Sequence, residues 1–214
     1  MPDLKKRLSI LYTATGLLLC ALPWGGALAG LPGGTGVMET GEAAFAVQAA
    51  PGWVMDQEAG AQAGLPLVAY PQGQPFRTSS VMAYVRSVPR SIEMGSIDDL
   101  VQANVRMFQQ AGRMSYEGSF ERVITLDSGR EAVVYHFRGA GYAPYEAIAF
   151  VEELEHFNII VMGARNGIAF REALEDFESM VRSYRFLAGG LPGPGVADEP
   201  TAPVIEVDPG RMIN

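Results

Sequence analysis

The chain has 214 residues, 48% of them hydrophobic, and a formal net charge of −8. A chain of this length can bury one sizeable core. Its acidic balance argues against nucleic acid and anionic lipid as partners, because both bind basic patches.

The N-terminus has the pattern of a secretory signal peptide. A basic start at residues 5–7 precedes an apolar run over 8–22, and Ala27–Ala29 supplies the small-x-small pattern of a cleavage site. The run is shorter than the ~20 apolar residues that span a bilayer, so we predict cleavage after Ala29 rather than a membrane anchor. Lipid attachment at Cys20 is the other interpretation, but Leu19 is larger than the residue that normally precedes a lipidated cysteine.

Cleavage would change the composition of the mature chain. Basic residues would fall from 16 to 13 and acidic residues from 24 to 23, which gives a charge of about −10. The single cysteine would also be lost, so the mature protein would have no disulfide, thiol nucleophile or cysteine metal ligand. We predict a periplasmic or secreted protein that depends on its core for stability and has no stable membrane anchor.

The first half of the chain predicts a linker, four strands and a helix. Residues 30–42 are Gly-rich without periodicity and indicate a flexible linker. Short alternating segments predict strands around Phe45–Val47, from Trp53, over Leu65–Tyr70 and over Val81–Val88. A capping box at Ser96 and Asp99 begins a helix that ends at Gly112.

The second half predicts two hairpins and another helix. Strands over 119–127 and 130–139 are joined at Asp127-Ser128-Gly129, and strands over 145–153 and 156–165 at Leu154-Glu155. Apolar residues then recur at helical spacing over 166–187. We therefore divide the chain into a signal peptide (1–29), a linker (30–42), a folded domain (43–187) and a disordered acidic tail (188–214).

The order of these elements predicts the fold class. Turns between adjacent strands are too short for parallel crossovers, so the sheet is expected to be mainly antiparallel. Two amphipathic helices must bury their apolar sides, and several strands are apolar on both faces. We predict an α+β fold with a central, mainly antiparallel sheet flanked by helices on both faces, that is, an α/β/α sandwich.

Several short motifs resemble a known family. Pro51-Gly52-Trp53, the helix start at Ser96–Asp99, the paired hairpins and the closing Ser183–Phe186 segment are similar to the PsbP-like or Mog-type sandwich, a group that includes DcrB-like exported bacterial proteins. The resemblance covers about residues 43–187. It implies this fold and a mostly non-catalytic role in binding proteins or assisting assemblies. It implies no active-site residues.

The segment Glu152–His156 contains a Glu-x-x-His spacing that occurs in carboxylate-bridged metal sites. A second such half is absent, since Val133 stands three residues before His136. The flanking period-two pattern places the segment in a hairpin turn. We favour a solvated turn over a loop metal site formed by Glu153, Glu155 and His156.

Nucleophilic and nucleotide-binding chemistry find little support in the sequence. His136 and His156 are the only histidines, and no G-x-S-x-G elbow accompanies them. The Gly139–Pro144 segment starts like a dinucleotide fingerprint but precedes a strand rather than a helix. We therefore predict no catalytic, cofactor-binding or metal-binding residues and no cofactor.

One loop carries residue types that often anchor partners. Tyr142 and Arg138 lie on or beside a Gly-Pro loop, where exposed Tyr and Arg frequently form binding sites. Tyr145 is expected to start a strand and pack inward. We predict a non-enzymatic accessory or binding protein of the bacterial cell envelope that acts through an unidentified protein or peptide partner. The alternatives are a secreted hydrolase using His136 or His156, and a chaperone for apolar segments.

Overall fold

The computed structural model of the protein describes residues 34–40, 43–112, 115–139 and 144–187. The predicted signal peptide, the predicted tail and Tyr142 lie outside these residues.

The described residues form ten strands in two antiparallel sheets. The strands are β1 (Thr35–Thr40), β2 (Ala43–Gln48), β3 (Trp53–Asp56), β4 (Val68–Pro71), β5 (Val81–Pro89), β6 (Glu117–Thr125), β7 (Glu131–Arg138), β8 (Tyr145–Glu152), β9 (His156–Ala164) and β10 (Arg185–Leu187). Seven strands are ordered β3-β4-β5-β9-β8-β7-β6, and three are ordered β1-β2-β10.

Four α-helices and one 3-10 turn accompany the sheets. They are α1 (Gln57–Gln62), α2 (Ile97–Gln110), α3 (Gly167–Glu172), α4 (Leu174–Arg182) and the 3-10 turn at Phe76–Thr78. None of the helices in the described part of the chain is both long and apolar enough to cross a bilayer.

The central strand β9 is buried on both faces, which explains its almost uninterrupted apolar sequence. On one face, Ile159 and Val161 pack with Leu100 and Val101 of α2. On the other face, the buried side chains come from β9, from α3 and α4, and from the small sheet; they include Ile160, Met162, Phe170, Phe177, Val181, Phe45 and Val47. Both apolar layers therefore depend on the same strand.

The predicted α+β class and antiparallel sheet agree with this architecture, but the α/β/α sandwich is wrong. A second sheet takes part in covering one face, beside α3 and α4. Its strand β1 lies inside the segment 30–42, so the linker prediction is wrong for Thr35–Thr40. Period-two patterning identifies a strand but not its neighbours, and it is weak in a segment as rich in Gly as this one.

The helix predictions had two outcomes. The capping box of α2 is confirmed, because Ser96 Oγ accepts from the Asp99 amide (3.2 Å) and Asp99 accepts from the Ser96 amide (3.0 Å). The predicted helix over 166–187 is wrong in its extent: it is divided at Ala173 and ends at Arg182. The chain then continues into β10, which pairs with β2.

Candidate functional site

The turn between β8 and β9 buries one of its carboxylates. Glu153 is only 7% exposed, and Arg130 Nη1 lies 2.5 Å from its Oε1. The Tyr184 hydroxyl donates to the same oxygen at 2.8 Å. The interpretation of this segment as a solvated turn is therefore wrong for Glu153, although Leu154 and Glu155 are exposed.

This contact belongs to a hydrogen-bonded chain through the core. Asn158 donates to the Tyr184 hydroxyl at 2.8 Å, and Ser87 donates to Asn158 Oδ1 at 2.7 Å. Burial, together with Glu153, raises the pKa of Tyr184, so its phenol stays protonated and continues to donate. These hydrogen bonds join β5, β9 and the end of α4, which indicates a structural role.

The residues of this turn do not gather into a metal-binding cluster. Within the described ranges, no group of three or more His, Cys, Asp or Glu side chains is placed to hold an ion. Glu152 is paired with Arg90 at 2.6 Å, and Glu153 is occupied by Arg130 and Tyr184. The Glu-x-x-His spacing thus lies in a hairpin turn in which Glu152 and Glu153 form ion pairs with arginines.

His136 is half-buried in β7. Its ring packs edge-on against Phe170 at 5.1 Å, and its Nδ1 lies 3.5 Å from Glu121 Oε2. Burial lowers the pKa of His136, and this effect outweighs the opposite influence of Glu121. The Ser119 hydroxyl donates to the His136 carbonyl rather than to the imidazole. Among the described residues, neither histidine forms a hydrogen bond with a serine hydroxyl.

One end of the seven-stranded sheet gathers arginines. Register places Arg138 of β7 opposite Tyr145 of β8, and Tyr145 opposite Ala164 of β9. Arg165 follows directly, and its Nη2 donates to the Arg77 carbonyl at 2.6 Å. Adjacent strands lie about 4.8 Å apart, so residues far apart in sequence share this end.

Tyr145 is opposite Arg138 in the sheet register and lies close to the Arg171 guanidinium. It starts β8 and is half-buried, with its ring 6.0 Å from Phe170, as the sequence predicted. A Cβ on Gly167 would lie 3.3 Å from Tyr145 Cζ and 3.5 Å from Arg171 Nη1, so Arg171 and Tyr145 approach each other beside Gly167. The absence of a side chain at Gly167 permits this close packing.

Arg138 and Arg171 are both exposed, and neither is engaged by the part of the chain that the structure describes. Neither forms a hydrogen bond or an ion pair with another described residue. The nearby Glu146 carboxylate points to the opposite face, where it accepts from the buried Tyr116 hydroxyl at 3.0 Å. The two charges are therefore available to a ligand.

An open depression of about 490 Å³ adjoins Arg171. Its lining combines polar, charged and apolar groups: Ser80, Asn166, Gly167, Ile168, Ala169, Arg171 and Glu172. Ile168 is 62% exposed, although it is a large apolar side chain. Arg138, Tyr145, Ile168 and Arg171 are called the sheet-end surface below. Aromatic, Arg and apolar side chains together are typical of partner-binding surfaces.

The sequence identified one of these four residues as a binding residue. Arg138 was predicted from the residue types beside a Gly-Pro loop, and Tyr142 of that loop lies outside the described residues. Arg171 and Ile168 had no signal of their own, because they lie on the outer side of a helix that follows β9. Only strand register brings them close to Tyr145.

Fold and site define an α+β protein on an antiparallel sheet, with arginine, tyrosine and isoleucine side chains on a surface at one sheet end. No family model matches the chain, and no curated protein matches it. Among solved structures it is similar to the solution structure of cyanobacterial PsbP (CyanoP) from Synechocystis sp. PCC 6803. The two share 10% identity with a TM-score of 0.45, over 72% of this chain and 93% of that chain. A likeness at this level carries no argument about what the protein does.

Proposed function

We propose that the protein is an exported, non-enzymatic binding or accessory protein of the bacterial cell envelope, with a PsbP-like α+β fold. It holds a partner protein at the sheet-end surface. The observation that carries this proposal is the exposure of Arg138 and Arg171, neither of which has a hydrogen-bond or ion-pair partner among the described residues. Arg138 is opposite Tyr145 in the sheet register, and Arg171 approaches Tyr145 beside Gly167. Export is supported by the N-terminal sequence pattern.

The chemistry of this surface favours an acidic segment with an apolar residue. A guanidinium group binds carboxylates in a bidentate manner, and Ile168 offers exposed apolar area beside it. The protein as a whole is acidic, so the two arginines of this surface offer an acidic segment a local attraction. Such a charge pattern gives orientation and specificity to an encounter.

In-cell crosslinking of the full chain tests this proposal. Wild type is compared with Arg138→Glu/Arg171→Glu and with Arg185→Glu, which changes an exposed arginine of β10 away from the surface. We expect crosslinked envelope proteins that disappear only in the double variant. An unchanged crosslinking pattern in the double variant would overturn the proposed surface. If the Tyr142→Ala variant keeps the wild-type crosslinking pattern, Tyr142 does not contribute to partner binding.

Hydrolysis through a histidine is the alternative function. It predicts that His136→Ala/His156→Ala abolishes the phenotype of the protein while the fold and the crosslinks persist. The binding proposal predicts that the phenotype survives this double change. The surroundings of His136, which are Phe170 and Glu121, favour a packed histidine over a catalytic base.

A further inference from the structure

Strand β6 forms a long edge of the seven-stranded sheet. It has nine residues, most of them exposed, and among the described strands it pairs with β7 alone. Phe120 and Val123 expose 57% and 47% of their surface. An edge strand presents unpaired backbone groups, and a long edge with exposed apolar side chains is a template for another strand.

A bulge gives β6 an unusual pattern of faces. Phe120 lies opposite Tyr135, whereas Arg122 lies opposite Val134, so Glu121 is the additional residue. Side chains alternate along a strand, and one extra residue reverses the alternation. Phe120 and Val123 consequently share one face of the sheet. Glu121 and Arg122 share the other, where Glu121 reaches His136.

This pattern is symmetric about the peptide between Glu121 and Arg122. An antiparallel second copy centred there would place Phe120 opposite Val123 of the second copy, and Glu121 opposite Arg122 of the second copy. Ser119 would meet Ile124. Directly opposed residues of antiparallel strands share a face, and every one of these pairs does so. Without the bulge, Phe120 and Val123 would lie on opposite faces.

We propose that β6 is a homodimer seam that joins two copies into a continuous sheet. The seam pairs exposed apolar groups with each other and opposite charges with each other. Arg122 contacts Glu178 of α4 at 2.8 Å and Glu121 at 3.3 Å. The Arg122 guanidinium therefore already contacts two carboxylates, and in the dimer Glu121 of the second copy would add a third.

The bulge also explains why a second copy is the preferred occupant. Bulges hinder pairing of an edge with an ordinary strand, and proteins use them against indiscriminate association. A strand with a matching bulge at the same place removes this obstacle. The other edge, β3, has only four residues and offers less backbone to pair.

Cysteine crosslinking tests the seam and its register. The full chain with Cys20→Ser is made with Phe120→Cys under one tag and with Val123→Cys under a second tag. Directly opposed Cα atoms lie about 4.5–5.5 Å apart, a separation that a disulfide can bridge. On mild oxidation we expect mixed disulfides between the two variants, well above the level of either variant alone.

The control is Leu154→Cys, which places a thiol at an exposed site away from the seam. Mixed crosslinking no higher than this control, or a monomer at every concentration in sedimentation, would overturn the homodimer. Strong crosslinking of Phe120→Cys with itself would overturn this register. If Phe120→Cys loses the native circular dichroism spectrum, Glu121→Cys with Arg122→Cys tests the same centre. A seam that captures a different protein instead of a second copy also counts against the proposal.

Discussion

Two adjacent carboxylates at the β8–β9 turn have opposite surroundings. Glu152 is half exposed and forms an ion pair with Arg90, while Glu153 is buried and accepts from Arg130 and Tyr184. Exposed ion pairs contribute little because water competes for both charges. A buried acceptor is different, since its removal leaves donors without a partner.

We expect Glu153→Ala to lower the free energy of unfolding by about 2 kcal/mol, the range for hydrogen bonds to a charged group. Arg130 is 42% exposed and can recover water, so the main cost falls on the Tyr184 hydroxyl. The matched control, Glu152→Ala, should cost less than about 1 kcal/mol. Urea unfolding measures both, and equal effects would contradict the structural role of Glu153.

The half-buried His136 predicts a pH dependence of stability. Its pKa is lowered in the fold by burial, so the unfolded chain binds the proton more readily than the folded chain does. Stability is therefore full above the unfolded pKa of about 6.5 and decreases as the pH falls below it, down to the folded pKa. In His136→Asn, this part of the decrease should be absent. Melting temperatures between pH 7.5 and about pH 5 measure the difference between the two proteins, and parallel curves would contradict it.

At the scale of elements, a helix boundary can be set by residues close in sequence or by residues distant in sequence, and the two predicted helices show one case each. The N-terminus of α2 is set by a capping box, which involves residues three apart. The end of α4 is set by tertiary contacts: Ser183 Oγ accepts from the Gln48 amide at 2.8 Å, and the Asp127 backbone amide donates to the Arg182 carbonyl at 2.9 Å. The start of α2 can therefore be predicted from the sequence, whereas the end of α4 depends on the positions of β2 and of the β6–β7 turn.

Ser96→Ala should destabilise the protein by about 1 kcal/mol, because the Asp99 amide loses its acceptor at the start of α2. Gln102→Ala, an exposed change within the same helix, should stay within about 0.5 kcal/mol of wild type. Urea unfolding with a common slope provides both values. A Ser96→Ala protein as stable as the control would show that tertiary packing, not the cap, determines this helix start.

At the scale of the whole molecule, β9 joins the two apolar layers. Ile159 and Ile160 are both at most 1% exposed, and they point into different layers. Loss of packing on either side should therefore weaken the same sheet.

We expect Ile159→Ala and Ile160→Ala each to cost about 2–5 kcal/mol, the range for truncation of a buried isoleucine. Ile92→Ala, at a fully exposed position, should leave stability unchanged. Thermal unfolding followed by near-ultraviolet and far-ultraviolet circular dichroism should give coincident curves, since one cooperative unit is expected. Two separate transitions would mean that the layers unfold independently.

Much of the candidate site could not be predicted, because its residues are far apart in sequence. Arg138 could be selected because its neighbours in sequence indicate a loop. Arg171 and Ile168 could not, because their relation to Tyr145 arises from the register of β8 with β9 and from the direction of α3. Glu153 was misjudged for a similar reason, since Arg130 and Tyr184 come from other elements.

The sequence by itself determined the hairpin turns, the start of α2, the antiparallel character of the sheet and the double burial of β9. These follow from alternation, capping and turn chemistry, which act between residues close along the chain. Only the tertiary structure decided that β1, β2 and β10 form a separate sheet, that Glu153 is buried, and that Arg138 and Arg171 share a surface. These outcomes depend on which strands pair and in what register, and such choices rest on the packing energy of many distant residues at once.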